Sequence, residues 1–173
     1  TGEGVIFKSV YPPYKEHFLG PKESMQIQSN LGAEIIFAFD ECTSPASTKS
    51  YIEESMHRSH RWELESLKYH NPNQALYGII HGGWFKDLRI KSASYINSLP
   101  FDGIAIGGSL GKTKKDMRTI LDWIMPELDA RPRHMLGIGW IEDLFYCIER
   151  GIDTFDCVEM TRIARHGNLY ISP

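Results

Sequence analysis

Cysteine is scarce in this sequence, with only Cys42, Cys147 and Cys157 among 173 residues and no C-x-x-C spacing. The chain therefore encodes neither a disulfide framework nor a paired-cysteine zinc site, and the reduced thiols of a cytoplasmic protein fit best. Long apolar runs are missing too. None approaches the roughly 20 residues that a membrane span needs, and the N-terminus carries no signal-peptide core. Nor does one charge dominate: 19 Lys and Arg stand against 22 Asp and Glu, for a formal net of −3. A strongly basic nucleic-acid module is thereby excluded, while a local cationic patch that grips phosphate stays open. Nothing in the composition points to disorder or a fibre, and the length suits one domain with a sizeable core.

What the chain does have is alternation. Val5, Ile6 and Phe7 give a short β signal, and a loop follows through Pro12, Pro13 and Gly20. Pro21 and Glu23 then open a helix that Gly32 stops, because proline suits a first turn and acids suit the positive end of the helix dipole. Residues 34–40, EIIFAFD, make the continuous apolar run of a strand buried on both faces. A charged helix over 48–70 carries Ile52, Met56, His60 and Leu64 at four-residue steps and ends at Asn71, Pro72 and Asn73. The spacing then predicts strands over 75–80, 103–106, 135–138 and 154–158, separated by helices over 84–98, 114–128 and 142–150. Such alternation predicts an α/β fold with a parallel sheet of right-handed βαβ units. A (β/α)8 TIM barrel or an open doubly wound sheet fits. A full barrel takes about 250 residues, so this chain supplies roughly five to six of its eight units. Both ends read as cut: TGEGVIFKS is already strand-like, and another strand begins within GNLYISP.

In parallel α/β folds ligands gather at the carboxyl ends of the strands. Those ends carry Asp40, Glu41 and Cys42; His81, Gly82 and Gly83; Gly107, Gly108 and Ser109; Gly137 and Gly139; and Asp156. Carboxylates, an imidazole and bare backbone suit a flat polar heterocycle. Asp156 stands out, because an ionised carboxylate in the buried strand TFDCV costs several kcal/mol unless it is tied down or has a chemical task. Arg162, Arg165 and His166 beyond it read as an exit loop presenting cations. Blander roles remain open: Asp40 as a cap or turn residue, Cys42 as inert packing, His81 as an anchor for loop backbone. GGSLGK at 107–112 matches neither the Walker spacing nor G-x-G-x-x-G. Arg58, Arg61 and Arg118 read as solvated charge on helix faces.

FAFDECT at 37–43, YGIIHGG at 77–83, IAIGGSLGK at 104–112, RPRHMLGIG at 131–139 and GIDTFDCVEMTRIARHG at 151–167 resemble, in order and spacing, the tRNA-guanine transglycosylases. The resemblance implies a (β/α)8 enzyme of queuosine biosynthesis that exchanges guanine at the wobble position of certain tRNA anticodons for a 7-deazaguanine. By position, Asp156 is similar to the nucleophile that attacks the ribose anomeric carbon. Asp40 is similar to the carboxylate that reads the donor edge of the purine, with Cys42, His81, Gly107 and Gly108 around the base. Thr161, Arg162, Ile163, Ala164 and Arg165 resemble the segment that recognises bases around the wobble position. Gly137, Ile138, Gly139, Trp140, Ile141, Glu142 and Asp143 resemble the loop on the RNA backbone.

The family pattern is not matched everywhere. His81 stands where the family usually has a glutamine on the base, Ser109 where bacterial members often have leucine, and EMT at 159–161 where a pair ending in Pro-Thr is usual. Selectivity in such a pocket rests on single hydrogen bonds and on room around the side group, so the aminomethyl base and the larger queuine both stay open. The family's second catalytic Asp would lie before residue 1. Its structural zinc site of three cysteines and a histidine would lie after residue 173, so no residue here is assigned to metal and the chain alone is expected to be inactive. A homodimer and a tRNA partner are expected, and no membrane. Two rivals are a non-catalytic partner subunit of the family and an unrelated barrel enzyme. Retention of Asp40, Asp156, Arg162 and Arg165 counts against the first, and the lack of a second strand-end carboxylate suited to sugar hydrolysis against the second.

Overall fold

The computed structural model describes residues 1–171, in which a two-stranded hairpin precedes a five-stranded parallel sheet. The hairpin pairs β1 (Val5–Lys8) with β2 (Glu16–Leu19), antiparallel, Val5 opposite Leu19. β2 occupies part of the stretch expected to be loop. The chain turns where Tyr14 N–H donates to the Tyr11 carbonyl, and Phe7 and His17 then stack across the strands with ring centroids 5.4 Å apart.

The rest follows the expected alternation: α1 (Pro21–Leu31), β3 (Ile35–Phe37), α2 (Lys49–Tyr69), β4 (Ala75–Ile80), α3 (Lys86–Asn97), β5 (Gly103–Ile106), α4 (Lys114–Ile124), β6 (Arg133–Met135), α5 (Ile141–Ile148), β7 (Thr154–Phe155) and α6 (Glu159–Arg165). α1 begins with Pro21 and with the Glu23 carboxylate on Gly20 N–H, and ends at Gly32 in the left-handed region, φ 74°. α4 stops at Ile124, short of the expected Leu128, because Pro126 turns the chain into a 3-10 turn over Met125–Glu127. β6 starts two residues earlier than expected, since the Asp153 carboxylate satisfies Arg133 N–H at 2.8 Å and the chain turns away at Gly137, φ 72°. The strand expected within GNLYISP does not form over residues 168–171, and its last two residues lie outside the described ones.

Strand order is sequential, β3 to β7, and every pair is parallel. No reversal of order occurs among the described strands, so they do not form a doubly wound sheet. One face packs Ile36, Leu76, Ile80, Ile104, Ile106 and Met135 against Met25 of α1, Ala93 and Ile96 of α3, and Ile120, Leu121 and Ile124 of α4. Each of these side chains is essentially fully buried, and such burial contributes about 1.5–3 kcal/mol for a large aliphatic group. The opposite face carries a second cluster of Tyr77, Ile79 and Ala105 with Phe37 and Leu136. The helix over 48–70 has Ile52, Met56 and His60 buried as expected, but Leu64 is 41% exposed. A four-residue step drifts against the 3.6-residue turn, and by that point Trp62, Glu63 and Ser66 face inward instead.

The sheet is curled. Strands lie about 4.8 Å apart, so β3 and β6, with two strands between them, would be about 14 Å apart in a flat sheet. The rings of Phe37 on β3 and His134 on β6 nevertheless have centroids 4.8 Å apart. Small residues make room on that concave face: a Cβ at Gly103 would sit 2.3 Å from Tyr77 Cζ. Gly103→Ala should therefore lower stability by about 1–3 kcal/mol in urea unfolding, and by much less in a Tyr77→Val background, where the ring is gone. Equal costs in both backgrounds would contradict this packing.

Candidate active site

Asp40, His81 and Gly108 leave the carboxyl ends of β3, β4 and β5 side by side. His81 Nε2 lies 3.8 Å from Asp40 Oδ2 and 3.2 Å from Oε1 of Glu63, a side chain with no exposed surface that rises from α2 beneath the rim. Burial pushes His81 down to about 3, with His60 and Arg89 adding to the effect, so the imidazole is neutral and the Glu63 contact is a hydrogen bond rather than an ion pair. Desolvation first, and the neighbouring Glu41 charge second, push Asp40 up to about 6. Glu41 itself is held low, against its own desolvation, by the Tyr51 hydroxyl and by Arg58 Nε at 2.7 Å. Arg58 is thus not the solvated charge expected of it.

Beneath these strand ends lies Arg89, fully buried and, among the described residues, paired with no carboxylate. Its guanidinium donates to the carbonyls of Gly83 (2.8 Å), Ile80 (3.1 Å), Gly107 (2.7 Å) and Ser109 (2.7 Å), tying together the loops after β4 and β5. Burial alone depresses it to about 9. Gly108, at φ 64°, could carry a side chain only with strain, and a Cβ there would stand 3.7 Å from the guanidinium and 3.8 Å from His81 Nδ1. The rest of GGSLGK is no phosphate cradle: Lys112 and Thr113 N–H both donate to the Asp116 carboxylate, which caps α4. Cys42 is exposed beside Asp40, against the expectation of inert packing. Desolvation and the Asp40 charge raise its thiol, so no thiolate forms.

The other half of the rim belongs to β6 and β7. Strand β7 ends at Phe155, so Asp156 is not buried within a strand as expected; its side chain is 57% exposed. Its Oδ1 accepts Gly137 N–H at 2.9 Å and His134 Nε2–H at 3.1 Å, and His134 Nδ1 faces Thr154 Oγ1 at 2.9 Å. Oδ2 carries no hydrogen bond among the described residues. His134 also packs on Phe37, three residues before Asp40, so this ring contact links the stretch that carries Asp40 to the residue that holds Asp156.

The flanking segments divide. The cations expected in an exit loop sit on α6, where Arg162 and Arg165 occupy the last turn, both exposed. Thr161 and Ala164 are exposed with them, and Ile163 is half-buried. In the loop before α5, Gly137 and Trp140 face solvent and Ile138 is half-buried, and Ile141 and Glu142, the first residues of α5, are exposed. Gly139 and Asp143 are turned inward, Gly139 against Cys157 and Asp143 against Lys114 at 3.1 Å and Arg118 at 3.9 Å. A direct RNA contact from those two is not what this arrangement presents. Arg118, expected to be solvated, also stacks on Tyr146, 4.4 Å from its ring centre. Sequence reasoning missed Glu63, Arg89 and His134. Glu63 and Arg89 look like ordinary helix charges, and only their place on the inward face of α2 and α3 marks them.

A cavity of about 310 Å3 lined by Gly83, Trp84, Ser109 and Gly111 opens beside the rim. A larger groove of about 680 Å3 lies elsewhere, between the hairpin and α2, lined by Phe18, Lys22, Trp62 and Tyr69. Among the described residues no three His, Cys, Asp or Glu side chains form a metal-holding group. None of the helices there is long and apolar enough to cross a membrane.

Residues 1–172 match the family described as queuine tRNA-ribosyltransferase. A relative from Archaeoglobus fulgidus is 56% identical over 156 residues, which cover 90% of this chain and 39% of its own. Proteins named queuine tRNA-ribosyltransferase from Roseiflexus sp. and Protochlamydia amoebophila are 45% and 44% identical, covering 99% and 98% of this chain and 46% and 44% of their own. The chain thus spans less than half the length of the relatives it matches.

The raised Asp40 has a stability consequence. Its folded value lies above the unfolded one, so its contribution is most favourable below pH 4 and is lost as pH rises through about 6. Asp40→Asn should leave stability near wild type at pH 4 and raise it by about 1–3 kcal/mol at pH 8, measured by chemical denaturation. A variant equally displaced at both pH values would count against a desolvated carboxyl.

Proposed function

The chain belongs to the queuine tRNA-ribosyltransferase family, and from that premise we propose that it forms part of a (β/α)8 barrel that replaces guanine in tRNA by a 7-deazaguanine. The observation that supports this reading is the Phe37–His134 ring contact, which curls the sheet and links the stretch before Asp40 to the partner of Asp156, two aspartates far apart in sequence. Sequential parallel order with helices on one face is the arrangement of a barrel wall.

In this mechanism an Asp156 oxygen attacks the ribose anomeric carbon while the glycosidic C–N bond breaks. The departing electron pair goes to the guanine nitrogen, which takes a proton from a general acid. The incoming base then attacks the same carbon, its N–H proton passing to the conjugate base of that general acid, and the Asp156–ribose bond breaks in turn to free the carboxylate, as in retaining glycosidases. Gly137 N–H and His134 hold Oδ1 and so aim Oδ2. Asp40, once ionised, accepts the N–H donors that both bases share. Its position near pH 6 makes base binding improve as pH rises from 5 to 7. The target base must leave its stack, and Arg162 and Arg165 are suited to holding phosphates and neighbouring bases meanwhile.

The cavity beside Ser109 and Gly111 supports room for a base with a large side group. The general acid and the structural zinc that the family implies would come from outside this chain. A cytoplasmic homodimer acting on tRNA completes the proposal.

In the intact enzyme, Asp156→Asn should abolish the covalent RNA adduct on denaturing gels. A persisting adduct would refute the nucleophile assignment. Replacing His81 by Gln should change the preference among guanine, aminomethyl-deazaguanine and queuine in labelled competition, and an unchanged ranking would remove His81 from selectivity.

A further inference from the structure

Glu63 is a buried acid that the exchange mechanism does not use. It has no exposed surface, and no Lys or Arg pairs with it among the described residues. Burial, and then the Asp40 charge, hold its carboxyl well above the usual range, so it is neutral and carries one O–H. Its Oε1 lies 3.2 Å from Ile79 N and 3.2 Å from His81 Nε2, whereas Oε2 has no partner among the described residues.

The position of that proton follows from which orphan costs less. On Oε2 it would be a buried donor with no acceptor, at about 1–3 kcal/mol. On Oε1 it donates to His81 Nε2 while the same oxygen accepts Ile79 N–H, and only a carbonyl oxygen stays unpaired, which buried structure tolerates better. The neutral imidazole then accepts at Nε2, and its own proton sits on Nδ1. Asp40 Oδ2, at 3.8 Å, is outside hydrogen-bond reach of Nε2 and does not compete. Nδ1 is the nitrogen on the Gly108 side, 3.8 Å from where a Cβ there would stand, and it has no hydrogen-bond partner among the described residues.

We infer that Glu63 is a positioning residue that fixes His81 as the Nδ1–H tautomer, so that the imidazole donates to the carbonyl oxygen of the base held by Asp40. This rests on the base-exchange reading above. A guanine-type edge presents its carbonyl beside the N–H groups that Asp40 accepts, so the group next to Asp40 has to be a donor. The other tautomer would set a ring lone pair against the carbonyl lone pairs.

Two measurements on the intact enzyme test this. In ring 15N spectra without substrate, His81 should show a protonated Nδ1 and a bare Nε2; the reverse signature overturns the role of Glu63. In base-exchange kinetics, Glu63→Met should raise KM for guanine about tenfold with kcat essentially unchanged. In a His81→Gln background, where the amide has no tautomer to choose, the same change should cost nothing further. Equal losses in both backgrounds would make Glu63 merely structural and overturn the inference. The ring spectra need neither variant nor activity, so a wild-type enzyme that fails to exchange guanine refutes the proposed function instead.

Discussion

The packing of Phe37 on His134 across the concave face is the constraint from which the rest of the site follows. Asp40 and Asp156 leave the two outer strands of a five-stranded sheet, about 19 Å apart if that sheet were flat. No purine nucleotide could engage both at once. Curling brings β3 and β6 into ring contact, and His134 carries that contact directly to Asp156. Tyr77 over Gly103, and Ile79 over Gly107, are the local substitutions of space that let the face close. Fold and chemistry meet in these few positions.

Beneath the rim the protein accepts several costs. Among the described residues Arg89 is buried without a counter-charge and Glu63 is buried with one oxygen unpaired, while Asp40 is desolvated beside a second carboxylate. None of these is what stability alone would select. Each orders something at the mouth: Arg89 the two glycine-bearing loops, Glu63 the imidazole of His81, Glu41 the ionisation of Asp40. Strain and perturbed ionisation gathered at one end of a sheet whose other buried positions are mostly apolar is the pattern of a working site.

Much of this was legible from the residues. The apolar runs at 75–80 and 103–106, closed by glycine, gave strands at the expected bounds, and Pro21 with Gly32 bracketed α1 as their backbone preferences require. The strand-end residues Asp40, His81, Gly108 and Asp156 do fall on one rim. Other features were hidden for physical reasons. β2 depends on a turn at Tyr11–Tyr14 that no Asn-Gly or Asp-Gly pair announces. Asp156 looked buried because the run TFDCV is apolar, but the chain leaves the sheet after Phe155. Arg118 looked like solvated charge because helix periodicity does not say which acid a base will meet, here Asp143 at 3.9 Å. Glu63 and Arg89 are recognisable only once α2 and α3 are seen against the strands.

The central claim is that one purine sits between Asp40 and Asp156. The most direct measurement is the position of guanine in a crystal structure of the intact protein. The account predicts the base with its N–H edge on the Asp40 carboxylate, its carbonyl toward Gly108 and His81, and its glycosidic nitrogen facing Asp156 Oδ2. Guanine bound away from both aspartates, as in the groove lined by Trp62 and Tyr69, would contradict it.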